Sequence, residues 1–292
     1  MQHLSKKSIV VTGATSGIGL AAVKNLIKSG AFVIGVGRSE DRILKAREQI
    51  LAESPDRENS FIFLKADFGE QDQVRRLAMD ITHELSTKGF GHLDVLVNNA
   101  GLYLERKQKN KSGIEMTFAV NHLAAFYLTN LLLPTLTQSE NGRVLTVSSY
   151  SHRTTPLMLN GVVDPWPYIG LLAYKRSKLC NVLFTYELNR RCKQISAFAV
   201  DPGLVNTAIA SKGSNGISHW VWRSRRKKGT SADVPAQTIR YLAWEPVIDR
   251  SQGYYFRDSK PISPSQKSQN PELARELWAL SNDLLKITWP DC

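Results

Sequence analysis

Ser8-Ile9-Val10-Val11-Thr12-Gly13-Ala14-Thr15-Ser16-Gly17-Ile18-Gly19 is the stretch on which the fold turns: an apolar strand, a glycine-built turn and the start of a helix. Glycine lets the backbone turn tightly and approach a pyrophosphate closely. The helix N-terminus then offers unpaired N–H groups and a partial positive charge to the phosphates. The spacing is Gly-x-x-x-Gly-x-Gly, not Gly-x-Gly-x-x-Gly. A glycine-rich turn alone is weak evidence. After the first strand of an alternating α/β chain it points to a dinucleotide.

That alternation runs outward along the chain. After the helix from about Gly17 to Ser29, strands are expected at Ala31 to Gly35, Phe61 to Lys65, Leu93 to Val97, Arg143 to Val147, Ile195 to Val200 and around Tyr254 to Phe256. Helices are expected through Ile50, from Gln71 to Leu85, Gly113 to Thr137, Leu172 to Arg191, Ser231 to Trp244 and Pro271 to Leu285. Strand and helix in turn predict an α/β fold, a doubly wound Rossmann-type domain: a mostly parallel sheet of about seven strands with helices on both faces. No linker marks a second domain, so residues 1–292 are read as one. Ligand binds outside the carboxyl ends of the strands in such a fold. Two insertions fall on that side, Thr154 to Leu171 and Ala208 to Gly229.

The bulk properties set bounds. The 292 residues are 42% hydrophobic and 22% charged, with a net charge of +12. That charge is compatible with anionic partners, or simply with solubility. Cys180, Cys192 and Cys292 form no Cys-x-x-Cys pair and are read as reduced thiols of a cytosol-like compartment. Met1 to Ser8 does not read as a signal peptide. Leu123 to Leu136, interrupted by Thr129, Asn130 and Pro134, reads as too short and too polar to span a bilayer. A soluble, cytoplasmic protein is expected.

The end of the second strand selects the cofactor. An acidic residue there holds the ribose of NAD, whereas arginine accommodates the extra phosphate of NADP. Here it reads Gly35-Val36-Gly37-Arg38-Ser39. Arg38 is suited to a 2′-phosphate and Ser39 can donate to it, with Arg42 one turn on. Glu40 and Asp41 are acidic alternatives, and Arg38 could be merely exposed. The reading favours NADP(H) over NAD(H). Asp67, after the third strand, has two readings: accepting from the adenine amino group, or capping the next helix. Asn98-Asn99-Ala100-Gly101 ends the fourth strand with small residues and amides that let the backbone pass close to the cofactor.

Tyr174 and Lys178, in Ala173-Tyr174-Lys175-Arg176-Ser177-Lys178, lie one turn apart on a helix face. An ammonium beside a phenol favours the phenolate. With Thr12-Gly13-x-x-x-Gly17-Ile18-Gly19, Asn98-Asn99-Ala100-Gly101, Asn121, Ser148-Ser149 and Pro202-Gly203, in that order, the chain resembles the short-chain dehydrogenase/reductase family over roughly residues 8 to 260. Ser177-Lys178-Leu179-Cys180-Asn181-Val182-Leu183-Phe184 and the long gap from Ser149 to Tyr174 resemble its retinol dehydrogenase and WW-domain oxidoreductase branch.

The resemblance implies roles. Tyr174 would be the acid/base, Lys178 would bind the nicotinamide ribose and favour the tyrosinate, and Ser149 would hydrogen-bond the substrate oxygen. Of the adjacent Ser148 and Ser149, only one should face the site, and the family pattern selects Ser149. Asn121 would hold a water linking Lys178 to solvent. Pro202 and Gly203 would shape the nicotinamide pocket, with Thr207 reaching the carboxamide. The cofactor site is thus expected to comprise Gly13, Thr15, Ser16, Gly17, Ile18, Gly19, Arg38, Ser39, Asp67, Phe68, Asn99, Ala100, Gly101, Tyr174, Lys178, Pro202, Gly203, Val205 and Thr207. Asp201 stands where related proteins of the branch often have histidine or asparagine. His122 and His152 read as exposed or as standing behind the site, and no metal is implied.

Residues 208–229 should cover the substrate, and Ile209, Ile217, Trp220, Val221 and Trp222 would favour an apolar alcohol or carbonyl compound. Trp166, Tyr168 and Leu171 either join that wall or pack on the protein itself. The basic run Arg223 to Lys228 beside His219 to Trp222 reads as a solvated face, with contact to an anionic membrane surface through 219–228 as the alternative. No nucleic-acid motif accompanies it. The expected activity is NADP(H)-dependent interconversion of a lipophilic alcohol and its aldehyde or ketone. A cofactor-binding regulatory or scaffold protein is the rival, and a homodimer through the helices carrying Asn121 and Tyr174 is open. An extended epimerase or dehydratase is disfavoured by the glycine spacing.

Overall fold

The computed structural model describes residues 6–156, 158–205, 230–249, 253–290 and 292. The elements are β1 (Ser8–Thr12), α1 (Gly17–Lys28), β2 (Phe32–Gly37), α2 (Glu40–Glu53), β3 (Phe61–Lys65), α3 (Gln71–Thr87) and β4 (Val95–Asn98). They continue with α4 (Met116–Phe118), α5 (Ala124–Leu136), β5 (Arg143–Val147), α6 (Asn160–Val163), α7 (Gly170–Arg191) and β6 (Ser196–Val200). The chain closes with α8 (Asp233–Trp244), β7 (Tyr255–Arg257), β8 (Lys260–Pro261) and α9 (Pro271–Leu285). The sheet order is β3-β2-β1-β4-β5-β6-β7-β8. β1 to β7 are parallel, with β1 between β2 and β4. The chain winds one way from β1 to β3 and the other from β4 onward, so a crevice opens at the carboxyl ends of β1 and β4.

The strands are buried on both faces, and each face has its own core. Val10, Ile34, Leu96 and Val144 point to the side of α3, α5, α7 and α9. Ile9, Val11, Val33 and Val97 point to the side of α1 and α8. This is why the strands read as continuous apolar runs rather than alternating ones.

The doubly wound, mostly parallel sheet is as expected, with eight strands where about seven are read: β8 pairs antiparallel with β7 (Arg257↔Lys260). Asp258 (φ 50°) and Ser259 (φ 59°) make the reversal, and two residues are too few to show a strand period. The helix expected from Gly113 to Thr137 is not uniform. It comprises α4, a π-helical turn over Ala119–Leu123, and α5. Glu115 caps its start by accepting from the N–H groups of Thr117 (2.9 Å) and Phe118 (2.8 Å).

The continuous run Met116–Leu136, with hydropathy 1.3, is long and apolar enough to cross a membrane, unlike the shorter piece read from sequence. Yet 89% of its most apolar window is buried inside the protein, as in a core helix. Finally, Cys192 and Cys292 form a disulfide, with Cα atoms 4.7 Å apart, and only Cys180, buried, is free among the described residues. A separation of 100 residues gives no pairing signal in the chain. The argument from cysteines to a reducing compartment loses two of its three residues.

The C-terminal segment also covers the helices named as a dimer face. α9 packs along α7, and Trp278 and Trp289 (ring centroids 4.3 Å apart) close over Phe126 of α5 at 4.9 and 5.0 Å. Asn130 of α5 donates to the Thr288 carbonyl at 3.1 Å.

Candidate active site

The glycine turn lies against the end of β4. Gly13 has φ 66°, and a Cβ there would stand 2.9 Å from Ala100 Cα. A Cβ on Gly19 would run into the Gly13 carbonyl and the Asn99 amide. Asn99 locks the two loops: its Nδ2 donates to the Thr12 carbonyl (2.8 Å), and Thr12 Oγ1 accepts from the N–H groups of Asn99 (3.0 Å) and Ala100 (2.9 Å). Asn98 turns inward and donates to Thr129. At the start of α1, Ser16 makes no side-chain cap, so the first-turn N–H groups are left to the crevice.

A cavity of about 420 Å³ opens beside this cradle. It is lined by Gly13, Thr15, Ser16, Gly17, Ile18, Gly19, Arg38, Ser39, Asp67, Phe68, Asn99, Ala100 and Gly101. The residues missed by sequence reading include Leu102, Tyr103, Leu104, Gln108 and Met116 on the far wall. Only their position directly after Gly101 and before Asn121 could have flagged them. The shape and the bare helix start suit a dinucleotide: small residues where its backbone must approach, and N–H groups where its phosphates would lie.

Arg38 and Asp67 stand at the distal end, 3.8 Å apart, with the arginine side chain 65% exposed. Glu40 is drawn away to Lys65 (2.7 Å), which holds its carboxyl below the usual range. It does not line the cavity. Of the two readings of Asp67, the capping one falls: its Oδ1 accepts from the Gly69 N–H (2.9 Å), while Glu70 is the residue at the start of α3.

At the other end, Gly101 passes between Asn121 and Lys178. A Cβ there would lie 3.2 Å from Asn121 Oδ1 and 3.4 Å from Lys178 Nζ. Asn121 sits in the π-turn. Its Oδ1 accepts from the Leu102 N–H (2.7 Å), and its Nδ2 donates to the Leu102 carbonyl and to Ser177 Oγ, both at 3.0 Å. Turns of this kind recur at functional sites because they re-aim one side chain. Lys178, buried, donates to the Val147 carbonyl (3.1 Å), and its Nζ lies 5.6 Å from the Tyr174 ring centroid. Ser148 faces away and donates to the Lys178 carbonyl (2.8 Å). Ser149 lies toward Tyr174 and accepts from the Ser151 N–H (3.2 Å).

The electrostatics differ from the sequence expectation. Burial pushes Tyr174 up to about 12, with the Ser149 hydrogen bond pulling the other way and the Asp201 charge adding to the rise. Burial lowers Lys178 to about 8. The ammonium does not dominate the phenol here, because both are desolvated and Lys178 is bonded to a carbonyl. The Tyr174 proton is therefore firmly held in the free protein.

Pro202 and Gly203 (φ 68°) follow β6, and Val205 bridges to Thr230. Thr207, the segment 208–229 and the basic run 219–228 lie outside the described residues. His122 and His152 are both buried, not exposed: burial lowers His122 to about 3, and its Nε2 meets Ser281 at 3.1 Å. Trp166 is 88% exposed and Leu171 40% exposed, whereas Tyr168 donates to the Leu104 carbonyl (3.0 Å) and so packs on the cavity wall.

Comparison with known proteins agrees with this geometry. Residues 7–217 match the family of short chain dehydrogenases. Mouse retinol dehydrogenase 11 is 34% identical over 98% of this chain and 88% of its own. The WW domain-containing oxidoreductase of Pongo abelii is 35% identical over 96% of this chain and 68% of its own. A short chain dehydrogenase from Burkholderia cenocepacia, solved in complex with NADP, superimposes with a TM-score of 0.62 at 26% identity, over 81% of this chain and 90% of its own. With the glycine cradle lining the crevice, and Asn121, Lys178 and Tyr174 standing behind its Gly101 and Tyr103, this chain belongs to the short-chain dehydrogenase/reductase family, on its retinol dehydrogenase branch.

Proposed function

We propose that the protein is an NADP(H)-dependent oxidoreductase acting on a lipophilic alcohol/carbonyl pair, with carbonyl reduction as the favoured direction. The observation that carries this reading is the continuous crevice from the glycine turn, past Arg38, to Gly101, where Lys178 and Asn121 meet. Arg38 is suited to pairing with a 2′-phosphate, and Asp67 beside it to accepting from the adenine amino group. The NADP of the Burkholderia structure supports the same choice. A bound nicotinamide supplies the hydride.

The remaining chemistry falls to this chain. Tyr174 gives its phenol proton to the substrate oxygen, and a proton affinity near 12 keeps that proton available at neutral pH. Ser149 donates to the same oxygen as negative charge develops. Lys178, within reach of the phenol ring, favours the tyrosinate left behind and is positioned for a ribose hydroxyl. Asn121 holds the Leu102 backbone at the crevice wall and offers a route for the returning proton. Tyr150, Leu171 and Leu204, exposed apolar side chains that lie next to Ser149, at the start of α7 and after Gly203 in the chain, favour an apolar substrate. That suits the class of substrate named by mouse retinol dehydrogenase 11.

The test is NADPH and NADH oxidation against aldehydes and ketones, retinal included, with Tyr174→Phe in parallel. Turnover with NADPH that is lost in the variant is expected. Tight NADPH binding with no turnover across the panel would sink the enzymatic reading in favour of a cofactor-binding regulatory protein.

A further inference from the structure

Behind Ser149 and Tyr174 lies a buried polar cluster that the proposed chemistry does not use. Asp201 follows β6 and is 1% exposed. Its Oδ1 accepts from two backbone N–H groups, Tyr150 (3.1 Å) and Gly203 (3.0 Å). The first directly follows Ser149, and the second belongs to the Pro202–Gly203 turn. One carboxylate oxygen therefore joins the β5 and β6 loops. The other, Oδ2, is buried and has no partner within strict hydrogen-bond geometry among the described residues. A buried carboxylate with no cation beside it is costly, so its retention calls for a reason.

The surroundings show what that oxygen faces. Tyr255 of β7 is wholly buried, and the Asp201 carboxylate adds to burial in keeping its phenol protonated, through its charge and through a side-chain hydrogen bond that the phenol donates. His152 lies beside Tyr255, 3.4 Å from its hydroxyl. His152 Nε2 accepts from the Ser265 N–H (3.2 Å), which leaves Nδ1–H to donate to the Ser149 carbonyl (2.8 Å). That ring is neutral, and burial lowers its proton affinity. Arg153 donates to the Ser263 carbonyl, and Arg257 pairs with Asp258 at 3.7 Å. No ion pair among the described residues reaches Asp201. Tyr174 itself is faced by Lys178 from its own helix, by Ser149 from the β5 end, by Tyr103 from the loop after β4 (ring centroids 6.1 Å apart) and by Asp201 from the β6 end.

We propose that Asp201 is a positioning residue of the reaction centre, clamping the Ser149 turn to the Pro202–Gly203 turn through one carboxylate oxygen while its negative charge, turned to Tyr255, is held near the phenol of Tyr174. This rests on the reading of Tyr174 as the proton donor. The charge opposes loss of the phenol proton and so biases the centre toward giving a proton to a carbonyl oxygen. It acts against Lys178, and the balance of the two sets the pH at which reduction fails.

Asp201→Asn separates clamp from charge. The amide oxygen still accepts from Tyr150 and Gly203, and the uncharged NH2 takes the place of the carboxylate oxygen facing Tyr255. Two readouts are taken on the full chain: the onset of Tyr174 ionisation by ¹³Cζ NMR of labelled tyrosine, assigned with Tyr174→Phe, and the pH profile of kcat/KM for aldehyde reduction with NADPH. In Asp201→Asn both the NMR onset and the basic limb move to lower pH by about one unit, with Tm unchanged. In Asp201→Ala, Tm falls and kcat/KM drops at every pH, because the clamp is lost as well. Identical titrations in wild type and Asp201→Asn, or a move to higher pH, would overturn the proposal. Absence of turnover in every form would strike the oxidoreductase reading instead, while the NMR onset would still judge Asp201.

Discussion

Arg38→Ala is the substitution whose outcome the structure lets us work through. The Arg38 side chain is 65% exposed, and its ionic neighbour among the described residues is Asp67 at 3.8 Å. A hydrogen bond to a charged group contributes about 1.5–3 kcal/mol, and an exposed one belongs at the low end because water screens it. We therefore take about 1.5 kcal/mol, or roughly tenfold in affinity for NADPH. A second effect adds to it. Without the guanidinium, the Asp67 carboxylate stands uncompensated beside the phosphate position and repels it. The same bare carboxylate is free to accept from the ribose hydroxyls of NADH. The ratio of kcat/KM for NADPH over NADH should thus fall by more than tenfold, with NADH itself unchanged or improved. Steady-state kinetics with both cofactors, at two ionic strengths, is the assay. An NADPH KM within twofold of wild type would refute the argument, because the 2′-phosphate would then lie elsewhere.

Gly19→Ala should abolish NADPH binding in a fluorescence titration while the circular dichroism spectrum is retained, because the new Cβ meets the Gly13 carbonyl and the Asn99 amide that shape the cradle. Lys178 is lowered to about 8 by burial, so between that pH and its unfolded value near 10.5 the unfolded chain binds more protons and stability rises with pH. Lys178→Met should be more stable than wild type at pH 7 by chemical denaturation, with the gap narrowing as pH rises above 8; a constant gap would contradict the assignment. Cys292→Ser should lower stability by about 2–4 kcal/mol under non-reducing conditions, and equal melting of variant and wild type would show that the pair is not joined.

The part of this protein that could be read along the chain is the part encoded by near neighbours. The apolar runs and their helices place seven strands, and Asn270-Pro271 and the apolar spacing after it mark α9 at Pro271–Leu285. The glycine turn, Arg38-Ser39 and Asn99-Ala100-Gly101 could be named as crevice residues because each follows a strand end, and topology sends strand ends to one edge. The eighth strand was not legible, since two residues carry no period.

What lay beyond the chain's own order was decided by contacts between distant residues and by burial. Whether Asp67 caps α3 or shapes the loop to Gly69 depends on a turn geometry that composition does not contain. The pairing of Cys192 with Cys292 and the covering of α5 and α7 by α9 and Trp289 depend on where the tail is laid down. Tyr174 beside Lys178 reads as a lowered phenol when only spacing is known. In the folded protein the phenol is raised, because desolvation acts on both groups and Val147 takes the ammonium's hydrogen bond. Spacing specifies which groups come near each other; solvent exclusion and the remaining partners, which only the packed structure supplies, set their charge.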